Sequence, residues 1–191
     1  MPAFGERLDV ERRWDLVNFI RTLAAVDTAR ALGPAIEPER PLVVAPDFIF
    51  AVGPTPARAL KDYRGRRSVL VVLYTLPASR PRLAALAARY DVLVPLGVEI
   101  IAVPTDGGAD AIKQLGAEPR ILFPVVTEGA SDIVAAYGLF ARGPHAEFLV
   151  DRHGYLRAID AMPAVTDTLL ANAEALNAEK IVVAPPAEHV H

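Results

Sequence analysis

The sequence predicts an α/β fold in which a central mixed sheet is flanked by helices. Residues 69–73 are five consecutive aliphatic residues, mostly β-branched, as expected for a strand buried on both faces. A helical pattern follows this strand directly, and a second apolar strand pattern occupies 98–103. Towards the C-terminus, two short apolar runs flank turn residues at 151–154, which is typical of a β-hairpin.

Composition indicates a globular domain and excludes several function classes. The length of 191 residues is enough for one domain with a core and an extension. The residues are 52% hydrophobic and 23% charged, which is typical of a globular protein and not of a disordered one. The net charge of −3 gives no reason to expect a nucleic-acid partner. The absence of cysteine excludes disulfides, thiolate chemistry, cysteine-ligated zinc and covalent haem attachment within this chain. No apolar run approaches ~20 residues, so we expect membrane contact only through sequence outside this chain.

The first third of the chain divides into an extension, a linker and a short strand region. Apolar residues at helical spacing predict a helix over about 10–31, which Gly33 and Pro34 end. Four prolines then favour extended backbone, so 34–46 is interpreted as a Pro-rich linker. The pattern at 47–52 predicts a short strand, and 57–63 is a further short strand or a turn.

The central strand leads into the loop where α/β sheets commonly place their chemistry. Pro77 ends the strand because proline cannot donate to a β-ladder. Ser79 is suited to cap a helix and Pro81 is tolerated in its first turn, so a helix is expected over about 79–92.

The remaining elements alternate in the same way. After the strand at 98–103 we expect a helix at 109–115, an irregular strand at 121–126 broken by Pro124, and a helix at 131–137. The hairpin strands lie at 147–150 and 155–159. A C-terminal helix follows from near Pro163, and 181–191 is expected to be a frayed tail.

Three segments in order resemble the redoxins, which are peroxiredoxins, thioredoxin-like reductases and Sco-type copper chaperones. The first is Pro46-Asp47-Phe48 with the downstream Leu-x-x-Tyr-x-Gly-Arg of 60–66. The second is the central strand with Tyr-Thr at 74–75, and the third is the Phe-Leu-Val-Asp-Arg-x-Gly run of 148–154. This resemblance implies a thioredoxin-like domain over 47–180.

The active loop departs from the redoxin pattern. In the register of the thioredoxin-like reductases, the paired cysteines would fall at Ala78 and Pro81, and in the Sco register at Pro77 and Pro81. Disulfide exchange and peroxide reduction both need a thiolate, so neither activity is expected. The candidate binding loop contains Pro77, Ala78, Ser79 and Arg80.

Pro144 and His145 are expected to face that loop, because thioredoxins place a cis-proline before the corresponding strand. Ser79 is interpreted as a helix cap, since a hydroxyl without an adjacent base is a weak nucleophile. An enzyme with non-thiol chemistry around Ser79, Arg80, Arg82 and His145 ranks last, because the sequence shows no set of nucleophile, base and acid.

Histidines provide the candidate metal ligands. His145 has the strand parity of a copper ligand of the Sco proteins, although a single histidine is a poor metal site. His189 and His191 in the tail are ligand types for copper. A weak copper site at His145 or at the His189/His191 pair is therefore the metal-binding alternative.

The N-terminus resembles the C-terminal end of class I cytochrome c domains. Met1-Pro2-Ala3-Phe4 precedes Arg-Trp-Asp-Leu-Val-Asn-Phe-Ile-Arg at 13–21, and Met1 would inherit the position of the distal haem ligand. The Cys-x-x-Cys-His motif is missing, so haem is expected only in a longer parent protein. Residues 1–33 are interpreted as this helix, and the chain as part of that parent.

A cytochrome c end followed by a redoxin domain resembles copper-resistance D family membrane proteins, which implies a periplasmic location. The leading hypothesis is a non-catalytic interaction or scaffold domain of a copper-handling or redox membrane protein. Its partner would be the parent cytochrome c or membrane domain, or a periplasmic protein. The copper-binding module, an oxidoreductase role exerted through a partner, and a homodimer are left open.

Overall fold

A five-stranded mixed sheet organises the domain in a computed structural model, which describes residues 25–37, 40, 42–106, 109–141, 143–161 and 168–179. The strands are β1 Val43–Val44, β2 Ile49–Phe50, β3 Arg58–Ala59, β4 Ser68–Tyr74, β5 Val98–Pro104, β6 His145–Val150 and β7 Tyr155–Asp160. The helices are α1 (25–30), α2 Arg80–Ala87, α3 Tyr90–Leu93, α4 Ala109–Gly116, α5 Ala130–Tyr137 and α6 Leu169–Ala178, with a 3₁₀ turn at Leu60–Tyr63.

Strand β4 lies inside the sheet, whose order is β1-β7-β6-β4-β5. It runs parallel to β5 and antiparallel to β6, and β6 pairs with β7 as the predicted hairpin. All seven residues of β4 are buried, as its continuous aliphatic run predicted. The prediction of an α/β fold with a mixed sheet between helices is confirmed.

Each face of the sheet has its own hydrophobic core. Val69, Val71 and Leu73 point to the face covered by α1 and α5, where Val26 and Ala29 of α1 are buried. The alternate residues of β4 face α2, α3 and α6. Burial of this amount of aliphatic surface on both faces is the main force that holds the sheet in place.

The helix expected over about 79–92 is two helices, α2 and α3. Arg89 between them has φ −114° and ψ 0°, and neither glycine nor proline marks the break. The break turns Tyr90 towards β5, where its hydroxyl donates to Glu99 Oε1 at 2.5 Å and its ring packs edge-on against Phe123. Tertiary packing thus overrides the local helical pattern.

The segment interpreted as a linker takes part in the fold. Val43 and Val44 form the edge strand β1 and pair with β7. Extended backbone, which prolines favour, is also the backbone of an edge strand, and this explains the error. By contrast, 121–126 forms only one bridge, between Val125 and Ala102 of β5, because Pro124 has no N–H to continue a ladder.

Among the described helices, none has the length and apolar character needed to span a bilayer. The predictions for Met1, for most of the helix over 10–31 and for the 181–191 tail concern residues outside the described ones.

Candidate functional site

The candidate site forms where the chain leaves β4 and where it enters β6. Tyr74 at the end of β4 is paired with His145 at the start of β6. The loop 75–79 therefore lies beside the segment that leads into β6. Strand pairing alone brings together residues that are about 65 positions apart in the sequence.

Ser79 is the buried centre of this loop. The residue is 3% exposed, and its Oγ accepts a hydrogen bond from the Thr75 N–H at 3.1 Å. The Oγ lies 3.3 Å from the carbonyl oxygen of Pro144 and 3.0 Å from Nδ1 of His145. Ser79 occupies the N-cap position of α2, but its side chain makes no hydrogen bond to that helix. The predicted N-cap position is confirmed, but the hydroxyl bonds to the loop and to the segment entering β6 and not to the helix.

His145 and Glu147 extend this contact into the domain. The two residues are two positions apart on β6, so both side chains point to the face covered by α2. His145 Nε2 lies 2.9 Å from Glu147 Oε1. Arg82 of α2 binds both carboxylate oxygens of Glu147, at 2.7 and 2.8 Å. We call Ser79, His145, Glu147 and Arg82 the relay cluster.

The charge state of Glu147 follows from its contacts. The residue is 4% exposed, and burial acts to raise the pKa of its carboxyl group. The hydrogen bonds from Arg82 and His145 outweigh this effect, so the net pKa of Glu147 is lowered. The ionised carboxylate of Glu147 accepts a hydrogen bond from His145 Nε2–H, and the Ser79 hydroxyl donates to the Pro144 carbonyl oxygen.

This geometry corrects the statement that Ser79 has no adjacent base and that no nucleophile, base and acid set exists. Ser79, His145 and Glu147 are aligned as hydroxyl, imidazole and carboxylate. Glu147 is the residue that sequence reasoning missed. The signal was its position two residues after His145 on a strand, which places both side chains on one face.

The other predicted loop residues lie at the surface. Pro77, Ala78 and Arg80 are exposed, and Arg80 forms an ion pair with Glu118 at 2.5 Å. Pro144 is exposed, and its carbonyl oxygen faces Ser79. Within the described residues, the cis peptide bond joins Leu76 to Pro77 and not Gly143 to Pro144.

A metal site at His145 does not fit this geometry. Both ring nitrogens are within hydrogen-bond distance of protein atoms, so a metal would have to displace Ser79 or Glu147. The described part of the chain contains no cluster of three or more histidine, aspartate or glutamate residues able to hold a metal ion. His189, His191 and Met1 lie outside the described residues.

Comparison with known proteins identifies the class of fold. Residues 43–159, more than half of the chain, match the AhpC/TSA family. No curated protein sequence matches the chain.

Solved structures agree with that match. The thioredoxin domain of a thiol-disulfide oxidoreductase from Bacteroides vulgatus is 24% identical, with a TM-score of 0.52 over 61% of this chain and 85% of that one. A thiol:disulfide interchange protein from Chlorobium tepidum is 13% identical, with a TM-score of 0.60 over 73% and 96%. The mitochondrial 2-Cys peroxiredoxin of Plasmodium falciparum is 13% identical, with a TM-score of 0.56 over 70% and 91%. The predicted thioredoxin-like fold is confirmed.

Proposed function

Because the chain belongs to the AhpC/TSA family and contains no cysteine, we propose that it is a redoxin-fold domain that binds a protein partner without thiol chemistry. The observation that supports this proposal is the relay cluster. Where thiol chemistry would need a reactive sulfur, the loop contains a buried serine whose hydroxyl is hydrogen-bonded within the domain. A buried hydroxyl whose hydrogen bonds are made within the domain stabilises the loop and leaves no reactive atom at the loop surface.

The surface beside the relay cluster offers a binding rim. Pro77, Ala78 and Pro144 are exposed small or apolar residues around a fixed loop. A preorganised loop loses little conformational entropy on binding, which favours recognition. We infer that the partner contacts this rim. The resemblance of residues 1–33 to a cytochrome c end favours the parent cytochrome c or membrane domain as that partner, and a periplasmic location.

Two measurements test the proposal. The purified chain should neither reduce insulin disulfides nor consume hydrogen peroxide above the blank, and reproducible activity in either assay would overturn the thiol-free assignment. The cytochrome c domain proposed as the partner should bind this chain in calorimetry. Ala78→Arg should weaken that binding at least tenfold, whereas Ala84→Arg, at an exposed position on α2, should not. Equal effects of the two substitutions would refute the rim as the contact surface.

A second candidate function is acyl transfer at Ser79, which the 3.0 and 2.9 Å contacts of the relay cluster favour. Ser79 Oγ would attack the carbonyl carbon of an ester while His145 Nδ1 accepts the hydroxyl proton. The same proton would then pass to the departing alcohol, and water would hydrolyse the acyl-serine. The 3% exposure of Ser79 favours the binding role over this reaction.

A fluorophosphonate probe separates the two functions. Covalent labelling of Ser79, located by mass spectrometry and lost in both Ser79→Ala and His145→Gln, would support the acyl-transfer reaction. The binding role predicts no labelling of the folded chain. Labelling that persists in Ser79→Ala would assign the reactivity to another residue and refute the acyl-transfer candidate.

A further inference from the structure

A small polar cavity lies at the amino end of β4, at the end of the strand opposite to the relay cluster. Arg66, Ser68, Arg152 and Asn177 line it together with Leu96, Gly97 and Leu176. Its volume is about 40 Å³. A cavity needs roughly 10–15 Å³ to hold one water molecule, so this one accommodates a group of a few heavy atoms.

The polar side chains that line the cavity are able to donate hydrogen bonds. Ser68 is 6% exposed and lines the cavity. The guanidinium of Arg66 forms no ion pair within the described residues. Arg152 Nη2 donates to the carbonyl oxygens of Leu176 and Glu179, at 2.5 and 3.0 Å, which fixes this side chain at the end of α6.

The charge around the cavity is positive. None of its lining residues is acidic. The guanidinium of Arg64 lies against Gly154, since a Cβ added to that glycine would be 2.8 Å from Arg64 Nε. Arg64 is therefore a third arginine next to the turn that contains Arg152. The positive charge of Arg152 helps to lower the pKa of the Glu179 carboxyl group. Arg157 already binds both carboxylate oxygens of Glu179, at 2.6 and 2.9 Å.

We propose that this cavity binds a small oxyanion, a carboxylate or phosphate group, through Arg66, Ser68 and Arg152. Guanidinium and hydroxyl donors that line a recessed site with no acidic lining residue match the acceptor oxygens of such a group. The site is separated from the relay cluster by the length of β4, roughly 20 Å at 3.3 Å per residue. It therefore does not depend on the function proposed for the loop.

Titration of the full chain with inorganic phosphate tests this site. Binding is followed by amide chemical shifts in NMR, with sodium chloride exchanged for phosphate at constant ionic strength so that general screening cancels. Arg66→Gln should weaken phosphate binding at least tenfold, since it removes a charge-assisted bond. Ser68→Ala should weaken it several-fold. The matched control is Arg120→Gln, an exposed arginine at another place on the surface, which should bind as the unaltered chain does.

Further arms identify the source of the oxyanion. Acetate in place of phosphate tests a carboxylate, and vesicles with and without phosphatidic acid test a lipid headgroup. Saturable binding of any of these that is lost in Arg66→Gln supports the site and names its ligand class. The absence of saturable binding in every arm, or equal losses in Arg66→Gln and Arg120→Gln, would overturn it. Unchanged circular dichroism of the variants separates lost binding from lost folding.

Discussion

Replacing Glu147 by glutamine should destabilise the domain more than any surface charge change of the same type. The substitution keeps the shape of the side chain but removes its charge, so the Arg82 guanidinium loses its ion pair with Glu147. Side-chain exposure in this pair is 16% for Arg82 and 4% for Glu147. Removing one partner of a buried ion pair lowers the free energy of unfolding by about 3–5 kcal/mol. We expect about 3 kcal/mol, because the glutamine oxygen still accepts one of the lost hydrogen bonds.

The same helix provides a matched control. Arg80 of α2 pairs with Glu118, but the two side chains are 52% and 38% exposed. Exposed pairs contribute about 0–1 kcal/mol, so Glu118→Gln should have little effect. Urea unfolding followed by far-UV circular dichroism at neutral pH measures both variants. In thermal unfolding, a loss of 3 kcal/mol corresponds to a melting temperature lower by roughly 6–12 °C for a chain of this size.

The pH dependence gives a second readout for Glu147. The pKa of its carboxyl group is lowered in the folded state, so the folded state binds this proton less strongly than the unfolded state does. The stabilisation is therefore complete above the ordinary pKa of 4.5 and declines as the pH falls below it. The difference between the unaltered chain and Glu147→Gln should shrink in acid. If Glu147→Gln lowers the free energy of unfolding at pH 7 by no more than Glu118→Gln does, the argument from the buried ion pair is refuted.

Three further predictions concern other parts of the chain. Tyr74→Phe should stabilise the domain by about 1 kcal/mol in urea unfolding, because the buried Tyr74 hydroxyl has no partner among the described residues, and a loss of stability would contradict this. Gly129→Ala should cost at least 2 kcal/mol in the same assay, because Gly129 has φ +88° and an added Cβ would lie 2.4 Å from the Ile49 carbonyl oxygen. Calorimetric titration with Cu(II) should show at most weak binding at neutral pH, lost on acidification and on removal of the last three residues, which include His189 and His191. Tight binding that survives the truncation would place a copper site inside the domain.

The sequence by itself determined the framework of the fold. The aliphatic run of β4 predicted a strand buried on both faces, and turn residues between apolar runs predicted the hairpin of β6 and β7. Such patterns are local, because burial on one face or two faces dictates residue type at each position. The lack of cysteine likewise excluded thiol chemistry without any structure. Residues 43–44 were misassigned to the linker because extended backbone is shared by linkers and edge strands.

Only the tertiary structure decided which side chains meet at the loop. Ser79 and His145 are 66 positions apart, and each alone is explained by a helix cap or a packed side chain. Their contact exists because β4 pairs with β6 and because α2 folds back over that pair, which also brings Arg82 onto Glu147. Long-range side-chain contacts of this kind depend on register and helix placement, which one-dimensional patterns do not encode. The break between α2 and α3 has the same origin, since the packing of Tyr90 against β5 has no local signal in the sequence.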